Sequence, residues 1–274
     1  MSGLRVSAIS FLNTAPLMWD FEHGDGGRDF TIEYTVPSAC AAALAANQAD
    51  IGIIPAFTYA QIPGLVVIPD VAIAARNQVR SILLVSNKEI QDVRTVAADT
   101  SSRTSVALLQ VLFANFLGGA RQLQPHPPDL QEMLRGHDAA LLIGDAALQV
   151  PHAAGYCTYD LAHLWYEATG KPFVFAFWAV REDALGRTPA GVDLARVFQR
   201  SRDHGLESAS IQTISEQWSR RLPLSAGLIR EYLTENIYYY LDNEACCGFQ
   251  LFLELARRID LISSIPELRF LPES

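Results

Sequence analysis

The feature that most constrains this chain is a rhythm that occurs twice. Short apolar runs alternate with helix-like stretches from Leu4 to Ser86, and the alternation starts again at Thr95. In the first round, Leu4–Ser10, Phe30–Val36, Asp50–Pro55, Leu65–Ala74 and Val79–Ser86 read as strands. A helix starts at Thr14, with Pro16 just inside it, and Ser38 caps an alanine-rich helix to about Gln48. In the second round, Thr95–Ala98, Gln122–Pro125, Ala139–Ile143 and Phe173–Val180 are the strands. Val106–Leu117, Asp129–Arg135 and Asp160–Thr169 are the helices. From Pro189 onward the periodicity is helical, over Val192–Asp203, Ser208–Arg221, Ser225–Tyr240 and Glu244–Ile259. Strands alternating with helices predict an α/β fold whose sheets are largely parallel and covered by helices.

Two such rounds with no linker between them predict two α/β lobes joined by crossing strands, with a ligand cleft between the lobes. The crossings are placed at Ser86–Glu89 and Val174–Val180. Lobe I is then residues 1–87 and 178–274, and lobe II is residues 88–177. This is the layout of the type 2 periplasmic-binding-protein architecture. A doubly wound single sheet is the alternative.

Composition narrows the function classes. The 274 residues are 50% hydrophobic and 19% charged, which suits a packed globular chain. A net charge of −9 with no basic patch argues against nucleic acid and anionic membrane as partners, and still permits local binding of an acidic small molecule. Cys40, Cys157, Cys246 and Cys247 form no CxxC and read as reduced core thiols. The histidines show no metal-ligand spacing; His126, His137, His152 and His163 fall in loops, a turn or a helix, and no metal is expected. The start Met-Ser-Gly-Leu-Arg-Val has no secretory pattern, and no apolar run reaches membrane-spanning length, so a cytoplasmic location is expected.

The densest polar chemistry is at Thr100-Ser-Ser-Arg-Thr-Ser105, five hydroxyls and an arginine between a strand and a helix. The first turn of a helix leaves backbone N–H groups unpaired and carries partial positive charge. Ser101, Ser102, Arg103, Thr104 and Ser105 are therefore candidates to hold a carboxylate or phosphate. A simple cap by one hydroxyl is the structural alternative. The turn lacks the glycines and lysine of a nucleotide P-loop. Asn13 lies at a second strand-to-helix turn, at the carboxyl end of the first strand, where open α/β sheets bind ligands. Ser38 opens a third, first as a cap and second as a ligand contact. Ser81 begins a strand. Gly144 and Asp145 end a buried one; Gly144 permits close backbone approach, and Asp145 either accepts a proton or caps the next segment.

Taken in order, Ser10-Phe-Leu-Asn-Thr-Ala-Pro-Leu17, Val36-Pro-Ser-Ala-Cys-Ala41, Ala49-Asp-Ile-Gly-Ile-Ile-Pro55, Asp99-Thr-Ser-Ser-Arg-Thr-Ser105, Leu141-Leu-Ile-Gly-Asp145 and the stretch from Asp160 through Trp165 and Gly170 to Ala176 resemble chorismate dehydratase of the futalosine route to menaquinone. The resemblance implies a binding-protein fold used as a hydro-lyase. Chorismate would lose water to give 3-[(1-carboxyvinyl)oxy]benzoate without metal or organic cofactor. It also implies that Asn13 and Ser81 are the catalytic pair and that the hydroxyl turn holds a carboxylate. Phe11 stands where the family usually has tyrosine. The related 1,4-dihydroxy-6-naphthoate synthase, a transport receptor and a ligand sensor are the rival readings. Oligomeric state is not legible.

Overall fold

A computed structural model describes residues 3–151 and 155–272; His152 lies outside them. The first sheet contains β1 (Leu4–Ile9), β2 (Phe30–Thr35), β3 (Ile51–Pro55), β4 (Leu65–Ala75) and β10 (Phe173–Arg181), in the order β2-β1-β3-β10-β4. The second contains β5 (Ile82–Ser86), β6 (Thr95–Asp99), β7 (Gln122–His126), β8 (Ala139–Ile143) and β9 (Cys157–Asp160), in the order β7-β6-β8-β5-β9. Two α/β lobes are thus present, each built on a five-stranded sheet.

The sheets are mixed, where a largely parallel arrangement was expected. β1 runs parallel to β2 and β3, and β6 parallel to β7 and β8. β10 is antiparallel to both its neighbours, and so is β5. These two are the strands that arrive from the other lobe, and each enters its sheet in the opposite sense. The crossings lie earlier than the sequence suggests. β5 belongs wholly to the second sheet and β10 wholly to the first, so the chain crosses between residues 76–81 and again between 170–172. Residues 82–87 therefore leave lobe I, and 173–177 join it. Val79 and Arg80 do not extend β5 because both backbone N–H groups donate to the Asp160 carboxylate, at 3.0 and 2.6 Å, and Arg80 has φ +61°.

In the first lobe, α1 (Trp19–His23) follows a 3-10 helix over Leu12–Met18, and α2 (Pro37–Ala45) packs on β3. Pro37 occupies the first turn of α2 and Val36 its cap, so Ser38 is not the cap. The second lobe carries α3 (Arg103–Phe116), α4 (Leu130–Gly136), α5 (Gly144–Leu148) and α6 (Leu161–Thr169). Asp160 caps α6, accepting from Ala162 and His163. After β10 come α7 (Leu194–Gly205), α8 (Ser208–Trp218), α9 (Ala226–Glu231) and α10 (Asn243–Arg258), with α7 and α10 packed on the first sheet. β3, β5 and β8 are buried along their whole length, as expected of strands covered on both faces. One apolar cluster runs through both lobes.

The helix expected over Ser225–Tyr240 is broken. α9 gives way to a π-helical turn at Tyr232–Asn236, and the chain then extends. The run Ile237-Tyr-Tyr-Tyr240 suits a strand better than a helix. Tyr238 exchanges two 2.8 Å backbone hydrogen bonds with Ala74, covering part of the outer edge of β4, an edge that would otherwise invite pairing with another chain. The four cysteines are unpaired, but only Cys40 belongs to the core; Cys247 is exposed on the solvent side of amphipathic α10, and Cys157 and Cys246 are half-buried.

Candidate functional site

The cleft assembles from turns at strand ends in both lobes. The turn after β1 places Phe11 and Asn13. It is tied by Thr14, whose hydroxyl reaches Ile9 O at 2.5 Å and Phe11 O at 2.7 Å and is thereby used up inside the fold. From behind, α7 holds the 3-10 helix: Ser201 Oγ donates to Leu17 O at 2.8 Å, and a Cβ on Gly205 would stand 1.9 Å from Pro16 O. That site admits only glycine without moving the backbone that carries Asn13. Pro55, Ile73 and Phe175 of the first sheet form apolar walls. Ser81, at the first crossing, Ser102, at the start of α3, and Gly144, after β8, close the other side. The cavity between them is ≈ 40 Å³.

Four expected residues, Asn13, Ser81, Ser102 and Gly144, line this one space. Asn13 Oδ1 is buried without a hydrogen-bond partner. A buried unpaired amide oxygen is costly, and the usual reason for one is a ligand or water that supplies the donor. Ser81 is 1% exposed; its Oγ accepts from the Tyr232 phenol at 2.9 Å and its carbonyl from Gly144 N at 2.7 Å. Gly144 has φ +56°, and a Cβ there would meet the Phe11 ring at 3.0 Å.

The hydroxyl turn is used mostly inside the protein. Ser102 caps α3, accepting from Ser105 N at 3.3 Å and from Ser105 Oγ at 3.1 Å. Thr104 Oγ1 accepts from Phe57 N at 3.1 Å, and Ser101 Oγ donates to Asp99 Oδ1 at 2.6 Å. Arg103 is exposed, 3.4 Å from Gln61 Oε1. Of this turn only Ser102 lines the cleft. Successive side chains at a helix start point about 100° apart, so a run of five hydroxyls cannot converge on one ligand. Ser38 also stands back from the lining; its neighbour Pro37 takes that place.

Asp145 lies just behind Gly144 and caps nothing in its own helix. Its Oδ1 accepts from Leu12 N at 3.2 Å, a bond between the lobes, and burial pushes its carboxyl up to about 6. Two further backbone N–H groups of the first lobe donate across to the second: Ser38 N to Ser101 O at 3.0 Å and Phe57 N to Thr104 Oγ1. In all three the donor is a first-turn N–H of a helix in the first lobe. Phe175 and Tyr232 are the site residues that sequence reasoning missed. Phe11, singled out as a departure from the family's tyrosine, is a wall of the cleft; Tyr232, far along the chain, carried no local signal.

The whole of this arrangement has relatives. A family profile described as menaquinone biosynthesis matches residues 4–258. A chorismate dehydratase of Thermus thermophilus is 28% identical over 261 residues, 89% of this chain and 92% of that protein. A chorismate dehydratase of Campylobacter jejuni is 25% identical over 193 residues, 70% of this chain and 69% of that protein. Among solved structures, a protein of Archaeoglobus fulgidus superposes with a TM-score of 0.75 at 17% identity, over 95% of this chain and 99% of that one. The periplasmic aliphatic sulphonate binding protein of Escherichia coli superposes with a TM-score of 0.65 at 14% identity, over 100% of this chain and 95% of that one. The latter likeness fixes the fold as that of the periplasmic binding proteins. With a profile match that spans nearly its whole length, the chain belongs to the menaquinone-biosynthesis family.

Proposed function

We propose that the cleft dehydrates chorismate to 3-[(1-carboxyvinyl)oxy]benzoate, the hydro-lyase step that opens the futalosine route, in the cytoplasm and without a cofactor. The observation that carries this reading is the unpaired, buried Asn13 Oδ1 beside Ser81 in an otherwise apolar cleft. That acceptor suits a ligand hydroxyl, and Ser81 supplies a neutral polar partner next to it. The names of the two relatives point to the same substrate.

The chemistry asks little of the protein. A proton leaves the ring carbon that bears the enolpyruvyl ether, the neighbouring C–OH bond breaks, and the two fragments depart as water while the ring becomes aromatic. The lining side chains are apolar or neutral, so the base is assigned to the substrate's own carboxylate, held by the fold over the ring hydrogen. Asn13 Oδ1 accepts from the departing hydroxyl and orients it, and the Ser81 hydroxyl donates to the charge that grows on it. Ser102 and the start of α3 face one carboxylate. The low-dielectric cleft strengthens each of these contacts.

Incubating the purified protein with chorismate and following product by absorbance and mass tests the reading. A product lighter by one water is expected. Asn13→Ala and Ser81→Ala should each lower kcat by about 10²–10³-fold, the usual cost of one preorganised hydrogen-bonding group. Full turnover in both variants would remove the assigned roles. Chorismate binding without turnover would instead make this a receptor or sensor, as its fold relatives among the binding proteins allow.

A further inference from the structure

The Ser81 hydroxyl has one proton to give and lone pairs to fill. What that proton does depends on what occupies the lone pairs. The phenol of Tyr232 lies 2.9 Å from Ser81 Oγ in the protein interior. The Asn13 side chain lies near the same phenol. We propose that Tyr232 is a positioning residue: its O–H donates to Ser81 Oγ, so that the Ser81 proton is turned into the cleft toward the departing hydroxyl. This rests on the assignment of Ser81 above.

Three observations support it. First, Tyr232 is 2% exposed and sits at the first residue of the π-helical turn, a local departure from α-helix that is frequent at functional sites. The turn is pinned from the far side by the pairing of Tyr238 with β4. Second, burial and the nearby Asp145 and Asp160 carboxylates push the Tyr232 phenol well above its ordinary range, so it stays a neutral donor at any working pH. It therefore orients Ser81 and does not pass it a proton. Third, the fold contains its own control. The Tyr239 hydroxyl is equally buried and has no hydrogen-bond partner. Tyr239 stands outside the cleft lining, so its hydroxyl is the matched comparison for removing a buried phenol that does not act through Ser81.

The experiment is a coupling measurement with chorismate as the probe. Tyr232→Phe should lower kcat about 10-fold and leave KM within about twofold, the pattern of an interaction made in the transition state. Ser81→Ala with Tyr232→Phe should be no slower than Ser81→Ala alone, because the phenol acts only through the serine. Tyr239→Phe should leave kcat unchanged. A Tyr232→Phe enzyme with parental kcat overturns the proposal. So does an added loss in the double variant equal to that in the single, which would mean the hydroxyl acts by a route other than the serine. Should Tyr232→Phe fail to fold, a fluorinated tyrosine at position 232 keeps shape and hydroxyl while acidifying the phenol. The phenol stays neutral but becomes a stronger hydrogen-bond donor, so kcat should rise with KM held within about twofold, and a parental kcat overturns the proposal. If Ser81→Ala itself turns over normally, the underlying assignment of Ser81 has failed instead.

Discussion

Gly144→Ala perturbs the cleft through two separable effects. The native backbone has φ +56°, and an L-residue in that left-handed region costs about 1–2 kcal/mol. The new Cβ would also stand 3.0 Å from Cδ2 and Cε2 of Phe11, inside the 3.5–4.0 Å at which carbon pairs attract. Phe11 must swing away, and forced overpacking of this kind typically costs about 1–3 kcal/mol. Together the loss is about 2–5 kcal/mol. At about 2–4 °C per kcal/mol for a chain of this size, the melting temperature should drop by roughly 4–20 °C. Because Phe11 is itself a wall of the cleft, KM for chorismate should rise as well. Thermal unfolding and steady-state kinetics on Gly144→Ala, Phe11→Ala and the pair give the partition. Relative to Phe11→Ala, adding Gly144→Ala should cost only the backbone part, about 1–2 kcal/mol. A single variant that melts within about a degree of the parent would refute both the strain and the contact.

Asp145→Asn should flatten part of the pH dependence of stability. Burial places the native carboxyl at about 6, above its ordinary range. The folded state thus holds the proton more tightly than the unfolded one. That contribution is complete below about pH 4 and is lost as the pH rises through 6, on the order of 2–3 kcal/mol in all. Denaturant titrations at several pH values should show a shallower slope in the variant, and an identical slope would remove Asp145 from the account. Asp50 behaves with the opposite sign. It is fully buried between Arg5 and Arg187, at 2.7 and 2.5 Å, and the two guanidiniums hold its carboxyl well below the ordinary range. Its stabilisation is present above about pH 4 and disappears as the pH falls. Asp50→Asn should cost about 3–5 kcal/mol at neutral pH, and a loss under 1 kcal/mol in denaturant unfolding would show that the buried pair contributes little.

The sequence disclosed the two-lobe plan because each apolar run is bounded by its own turn chemistry, and such local signals survive without knowledge of the neighbours. It misplaced the crossings because Val79 is as apolar as a strand residue. Only the folded chain brings the Asp160 carboxylate to the N–H groups of Val79 and Arg80. The C-terminal break failed to show for a related reason. The helical periodicity that begins at Ser225 hid the strand-like run Ile237–Tyr240, and the free edge of β4 decides the outcome. In the site, strand-end turns led to Asn13, Ser102 and Gly144, and the family resemblance to Ser81. Counting hydroxyls overstated the turn at Ser101–Ser105, because count says nothing about direction. Tyr232 was invisible because its partner Ser81 is 151 residues away.

Three backbone-donated bonds between the lobes share a direction. Leu12, Ser38 and Phe57 each give a helix-start N–H from the first lobe to an oxygen of the second. The three donors sit in the turns that follow β1, β2 and β3, neighbouring parallel strands of one sheet. The carboxyl ends of three strands thus act as one latch, and separating the lobes frees all three amides together.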